Sequence, residues 1–304
     1  MFAPPRDIST EIFARLPDKF RRKDTDCEFA RVQTPGHRMD CFLEGPSFDR
    51  EGNLYCVDIA YGRIFRASPQ AEWDLVAEYD GTPNGLKIAK DGRIFIADYK
   101  HGIMALDPDS GRVSPFCIKY RLEGFKGCND LFFAANGDLY FTDQGQTGLH
   151  DPSGRVYRLK PNGALDLLID TVPSPNGLVM NRDESRLYVA VTRANAVWRL
   201  PLIDDGVTKV GNFIQLSGGH AGPDGLALDE QGGLVIAHAG FGCVWHFTEL
   251  GEPIARIRSC TGLMTTNVAF GGADRKDLYI TESATGTILR ARLSVAGKVM
   301  YSHQ

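Results

Sequence analysis

Pro175-Asn176-Gly177-Leu178-Val179-Met180-Asn181-Arg182-Asp183-Glu184-Ser185-Arg186-Leu187-Tyr188-Val189-Ala190 holds the pattern that decides the fold. A polar Asn-Gly pair leads into a short apolar run. A polar turn follows, and then a second run rich in β-branched and aromatic residues. The unit recurs along the chain, headed by Glu44-Gly45-Pro46, Asn84-Gly85-Leu86, Asn129-Asp130-Leu131, Asp224-Gly225-Leu226 and Asn267-Val268-Ala269. The six lead residues, 44, 84, 129, 176, 224 and 267, are 40, 45, 47, 48 and 43 positions apart. That spacing suits a four-stranded propeller blade.

The second run of each unit repeats the theme, as in Leu54-Tyr55-Cys56-Val57, Leu139-Tyr140-Phe141-Thr142 and Leu278-Tyr279-Ile280-Thr281. A third run closes most units, as in Arg155-Val156-Tyr157-Arg158. No stretch of comparable length carries a helical period, so the expectation is an all-β, six-bladed β-propeller with four-stranded blades and a central metal site. One domain is expected over 1–304, with 1–35 as an N-terminal segment. Within it Glu11-Ile12-Phe13-Ala14-Arg15 is expected to supply a closing strand to the blade that begins near Asn267. Arg21-Arg22-Lys23-Asp24-Thr25-Asp26 reads as a solvated loop.

A net charge of −4 gives no footprint for nucleic acid. No apolar run is long enough to span a bilayer, and Met1-Phe2-Ala3-Pro4-Pro5-Arg6 lacks a signal-peptide core. Seven cysteines without a CxxC pair suit reduced thiols and a cytoplasmic setting. The seven histidines form no HxH or HxxxH pair, so nothing points to a zinc cluster.

Equivalent positions in a closed ring of blades point at one axis. Asn-Gly and Asp-Gly leads are also good turn formers, and turn chemistry alone would account for any one of them. Glu44 has no such virtue, and it stands in register with Asp224. Two carboxylates converging without a counter-ion repel each other, and one is pushed towards its neutral form. A divalent cation removes the conflict. Glu44 and Asp224, with the amide oxygens of Asn129 and Asn176, make four hard oxygen donors carrying two negative charges. That set suits Ca²⁺, with Zn²⁺, Mn²⁺ and Mg²⁺ as alternatives.

Leu43-Glu44-Gly45-Pro46, Asn129-Asp130, Pro175-Asn176-Gly177-Leu178 and Pro223-Asp224-Gly225-Leu226-Ala227-Leu228-Asp229 resemble the signatures of the senescence-marker (regucalcin)/gluconolactonase/luciferin-regenerating family. The resemblance spans residues 35–293 and implies a six-bladed propeller with one divalent ion on its axis, held at Glu44, Asn129, Asn176 and Asp224. It implies a metal-dependent hydrolase acting on a small lactone or ester. Regucalcin-like members carry an arginine two positions before the blade-three asparagine, where it helps hold sugar hydroxyls. Gly127 stands there in this chain and sets it apart from that branch.

An ion with open positions would polarise an ester carbonyl, and Asp224 is the candidate general base for the attacking water. Asn84, Asn267, His220 and Lys126 are the candidate substrate-binding residues. Asp58, Asp98, Asp143, His238 and Glu282 follow the second strands of their blades and are read as structural hydrogen-bonding groups. The same site would also suit a phosphotriesterase or a lyase or hydratase. A non-catalytic calcium-binding or interaction propeller is the third possibility, and it has no need of Glu44 and Asp224 on the axis.

Overall fold

In the computed structural model, which describes residues 3–23, 25–33, 36 and 38–304, the six repeats form six successive sheets of antiparallel strands. Their innermost strands are Leu43–Phe48, Pro83–Ile88, Cys128–Phe133, Pro175–Met180, Gly222–Leu228 and Thr265–Gly271. Each packs against the innermost strands of both neighbouring blades, so the ring is closed. The fold is the expected six-bladed propeller.

The core is divided into six apolar seams, each shared by two adjacent blades. Val57, Ile64, Leu86, Ile96 and Leu106 form the seam between blades one and two. Val235, Val244, Val268, Ile280 and Leu289 form the one between blades five and six. A blade therefore has no core of its own, and removing one would strip two seams of their partners.

Closure uses the N-terminal segment twice. Glu11–Arg15 pairs antiparallel with Thr287–Arg292 as the outer strand of blade six. Arg6–Ser9 lies parallel to Pro253–Arg258 and adds a fifth strand to blade five. The alternating Ile12 and Ala14 marked the first of these strands. Nothing in Arg6-Asp7-Ile8-Ser9 marked the second. Thr10 joins the two blades, its hydroxyl donating to the Arg258 carbonyl at 2.9 Å and accepting from the Cys260 amide at 2.9 Å.

In the charged segment after the closing strand Arg22, Lys23, Thr25 and Asp26 are exposed as expected, and Arg21 differs. Arg21 is largely enclosed, because its guanidinium binds Asp40 at 2.9 Å and the Thr285 carbonyl at 2.8 Å. Asp24 lies outside the described residues. A short helix that the sequence did not announce, Glu28–Gln33, follows. All seven cysteines are free thiols. Among the described residues no helix is long and apolar enough to cross a membrane.

Candidate functional site

The lead residues do not lie in turns. Each sits inside an innermost strand, where the pairing register with the second strand shifts: between Glu44 and Ser47, Cys128 and Leu131, Pro175 and Leu178, and Pro223 and Leu226, with shorter shifts in blades two and six. A bulge re-aims a side chain away from the sheet face. Here six bulges aim six side chains at one cavity of about 300 Å³.

The register also corrects blade six. Cys128 pairs with Asp143 and Leu131 with Phe141, while Thr265 pairs with Glu282 and Val268 with Ile280. Thr266 is therefore the counterpart of Asn129, and Asn267 that of Asp130. Local bonds agree. The Asp130 amide donates to Thr142 Oγ1 at 3.1 Å and the Asn267 amide to Thr281 Oγ1 at 2.9 Å. Glu44, Asn84, Asn129, Asn176, Asp224 and Thr266 all line the cavity. A signal for this register stood in the sequence. Buried apolar residues fall two positions after the lead at Leu86, Leu131, Leu178 and Leu226, and counting back from Val268 gives Thr266.

Asn267 lies beneath this ring. Its side-chain amide donates to Glu44 Oε2 at 2.8 Å and to Asp130 Oδ2 at 3.3 Å. It is buried and does not line the cavity, contrary to the expectation from the sequence. Asn267 and Asp130 come from blades three apart and meet across the axis. The other four positions of this lower layer are Gly45, Gly85, Gly177 and Gly225. A Cβ on Gly225 would lie 2.6 Å from Asn267 Cα, and one on Gly85 2.6 Å from Asp130 Cα. These glycines serve close approach of the strands at the axis.

The electrostatics of the upper ring are unbalanced. Glu44 is fully enclosed, and burial together with the nearby Asp130 pushes its carboxyl up to about 7, against donors from Gly45, Asn267 and Thr266. Asp224 keeps one side open to the cavity. Enclosure on its other sides, with Glu44 and Asp130 close by, drives it well above the usual carboxylate range, and Arg193 and the Asn176 amide oppose this only in part. Burial also raises Asp130, whose cation is Lys87 at 4.0 Å. Asn129 is held by its amide nitrogen, which donates to Gln144 Oε1 at 3.0 Å and leaves the oxygen for another partner. Gln144 is fixed in turn by Ser174 at 3.0 Å. Among the described residues no group of three His, Cys, Asp or Glu is disposed to hold a metal. An ion here would rest on two carboxylates and neutral amide oxygens. This donor set fits a hard divalent cation, and the uncompensated carboxylates call for one.

His220 and Lys126 are exposed and do not line the cavity. The His220 backbone amide bonds the Gly240 carbonyl at 3.2 Å, and the Lys126 ammonium is occupied by Ser153. The wall holds residues the sequence did not single out: Phe29 and Gln33 from the short helix, Phe42, His150, Arg193 and Met264. They stand in the short helix and in segments between strands, where no one residue type recurs through the blades. Gly127 has φ +151°, and a Cβ there would come within 2.6 Å of the Tyr99 ring. Tyr99 thus takes the space that a side chain at 127 would need. The residues read as structural behave so. Asp98 accepts from Tyr79 Oη at 2.6 Å and the Thr82 amide at 2.9 Å, Asp143 from the Gly127 amide at 2.8 Å, and Glu282 from the Met264 amide at 2.9 Å. Each ties down the segment that enters its blade.

The model of the SMP-30/Gluconolactonase/LRE-like region matches residues 42–284. Lactonase drp35 of Staphylococcus aureus is 33% identical over 232 residues, covering 71% of this chain and 69% of that protein. A solved structure of a gluconolactonase from Xanthomonas campestris is similar with a TM-score of 0.75 at 21% identity, covering 96% of this chain and 98% of that one. The calcium-binding protein regucalcin from Agrobacterium tumefaciens reaches 0.77 at 20% identity, covering 99% and 100%. The two structural likenesses speak for the fold, and the family match adds the lineage: this chain belongs to the SMP-30/gluconolactonase/LRE-like family.

Proposed function

We propose that the chain is a metal-dependent hydrolase that opens a small lactone or related ester. Glu44, Asn129, Asn176 and Asp224 would hold one divalent cation, Ca²⁺ by the hardness of the donors. The observation that carries this reading is the convergence of six bulged strands on one cavity with two carboxylates, whose charge Arg193 offsets only in part. The relative named a lactonase supports the choice of substrate class.

The bound cation supplies Lewis-acid polarisation of a carbonyl and offsets charge that develops on its oxygen. The chain's own residues do the rest. Asp224 is the more exposed of the two carboxylates that line the cavity, which suits it to take the proton of the attacking water. Asn84 and Thr266 offer hydrogen bonds from the remaining two blades. Phe29, Phe42 and Met264 limit water where they line the cavity. The Tyr99 ring beside Gly127 favours a substrate other than the sugar lactones.

The test is a pH-indicator screen over sugar, aliphatic and aromatic lactones. It uses metal-stripped protein with and without Ca²⁺, Mn²⁺, Mg²⁺ and Zn²⁺. Turnover restored by one cation on a subset of rings supports the proposal. Tight cation binding with no lactone or ester turned over sinks it.

A further inference from the structure

The cavity is lined by unlike groups. Phe42 and Ile59 of blade one, Met264 at the entry to blade six and Phe29 of the short helix bring apolar side chains to it, whereas His150 and Arg193 come from blades three and four. Arg193 belongs to the 3-10 turn Thr192–Ala194 after the second strand of blade four. The backbone beneath it is fixed at both ends. The Thr192 hydroxyl donates to the Pro223 carbonyl at 2.8 Å and its amide to the Ser174 carbonyl at 3.1 Å.

Comparison of the repeats marks Arg193 out. Strand pairing aligns Val191 with Asp58, Asp98, Asp143, His238 and Glu282. Two residues further on, the six blades carry Ala60, Lys100, Gly145, Arg193, Gly240 and Ala284. Four of these are small, and Lys100 forms an ion pair with Asp80. Blade four alone places a guanidinium here, and it has apolar Val191 where a partner carboxylate would stand. Among the described residues Arg193 has no hydrogen bond and no ion pair. It is exposed, its charge reaches Asp224, and its side chain flanks Gly148 together with the His150 ring.

An unpaired guanidinium beside an imidazole, in a cavity that also carries apolar side chains, is a recognition arrangement for an anion on an otherwise apolar body. We propose that Arg193 binds a carboxylate carried by the substrate, so that the preferred lactone bears a free carboxylate on its ring substituent. One guanidinium offsets one negative charge. A phosphate dianion this close to Glu44 and Asp224 would leave a charge uncompensated, so the carboxylate is the better fit. The proposal rests on the lactonase reading for its substrate and on Arg193 alone for its anion.

The experiment compares 5-oxotetrahydrofuran-2-carboxylate with its carboxamide as substrates for the cation-reconstituted protein. The carboxylate should lead in kcat/KM by about tenfold or more, mostly through KM. Arg193→Ala should bring that ratio close to one, Arg193→Lys should keep part of it, and raising the salt should lower it. A wild-type ratio of one, or a ratio that survives Arg193→Ala, overturns the proposal. Calorimetry with the ring-opened product, 2-hydroxyglutarate, reads the contact without turnover. Binding that weakens about tenfold in Arg193→Ala supports the anion site, and binding indifferent to the substitution or absent from the wild type removes it. If neither lactone is opened with any cation, the lactonase reading falls while calorimetry still decides Arg193.

Discussion

Two successive residues of each innermost strand approach the axis, and the two layers they form are opposites. The upper layer is polar in every blade: Glu44, Asn84, Asn129, Asn176, Asp224 and Thr266. The lower layer is four glycines with Asp130 and Asn267 bridged across them. The upper layer gathers side chains around a space, and the lower one removes side chains so that strands can touch. The repeat therefore encodes a cavity lining and close packing one residue apart. The two layers should respond to substitution in different currencies.

The largest effect is expected in the upper layer. Asp224→Asn removes both a proposed cation ligand and the proposed base, so kcat/KM for the best lactone should fall by about 10²–10⁴. Its thermal stability without cation should rise or hold, because a repelled buried charge is gone. Steady-state rates and calorimetric melting in chelator check the two halves of this outcome. A variant that is both active and ion-binding would remove Asp224 from the chemistry.

At the glycines of the lower layer the loss should be of folding alone. A Cβ on Gly177 would lie 2.7 Å from Gly225 Cα, against backbone that cannot swing aside. Gly177→Ala should cost about 3 kcal/mol, the upper range for overpacking. Gly211, which has open space around its Cβ position, is the control, and Gly211→Ala should stay within about 0.5 kcal/mol. Denaturant midpoints for the two variants measure the difference. Equal midpoints would mean that the axis is looser than its distances imply.

The sequence made the upper layer easier to find than the lower. The period, the six blades and the closing strand Glu11–Arg15 follow from apolar alternation, which burial enforces in every repeat. Glu44 and Asp224 stood out because a carboxylate in an apolar strand needs a reason. The blade-six lead was misplaced by one residue, since Asn267 looks like the other asparagine leads, although the two-residue step back from Val268 points to Thr266. His150 and Phe29 were out of reach because no periodicity governs the loop and short helix that carry them, and Arg193 because its repeat position carries no residue type shared by the six blades. The lower glycines were visible, but their reason was not: they resemble turn glycines in sequence and are packing glycines in space.

The upper layer should also be sensitive to pH when no cation is bound. Burial and repulsion from neighbouring carboxylates, Asp130 for Glu44 and both Glu44 and Asp130 for Asp224, raise the two above their unfolded values. Folding then favours their protonated forms. Their contribution to stability is complete below the ordinary carboxylate range and is lost as pH rises through about 7, the value for Glu44. The ion-free chain should thus melt at a lower temperature at pH 8 than at pH 5.5. Added Ca²⁺ should raise the melting temperature more at pH 8, because it competes with protons for the same oxygens. An equal calcium-induced shift at both values would place the ion away from these carboxylates.

The smallest effect tests whether the two layers are independent, and Asn267 is where they join. Its amide donates upward to Glu44 and across to Asp130, and its Oδ1 accepts from the Val268 amide at 2.8 Å. If the residue only fills the axis, Asn267→Asp should be mild, having the same shape, and Asn267→Ala the worse of the two. If the donor is what counts, the order reverses. Asp would put a third acceptor against Glu44 and Asp130, while Ala loses a donor that holds Glu44 in place. We expect the second order, with Asn267→Ala weakening cation affinity by about tenfold, close to 1.4 kcal/mol, and Asn267→Asp destabilising the ion-free chain further. Calcium titrations and melting of the two variants decide it. A milder Asp than Ala in chelator would make the lower layer a spacer. A harsher one would make it the part of the site that fixes Glu44 from below.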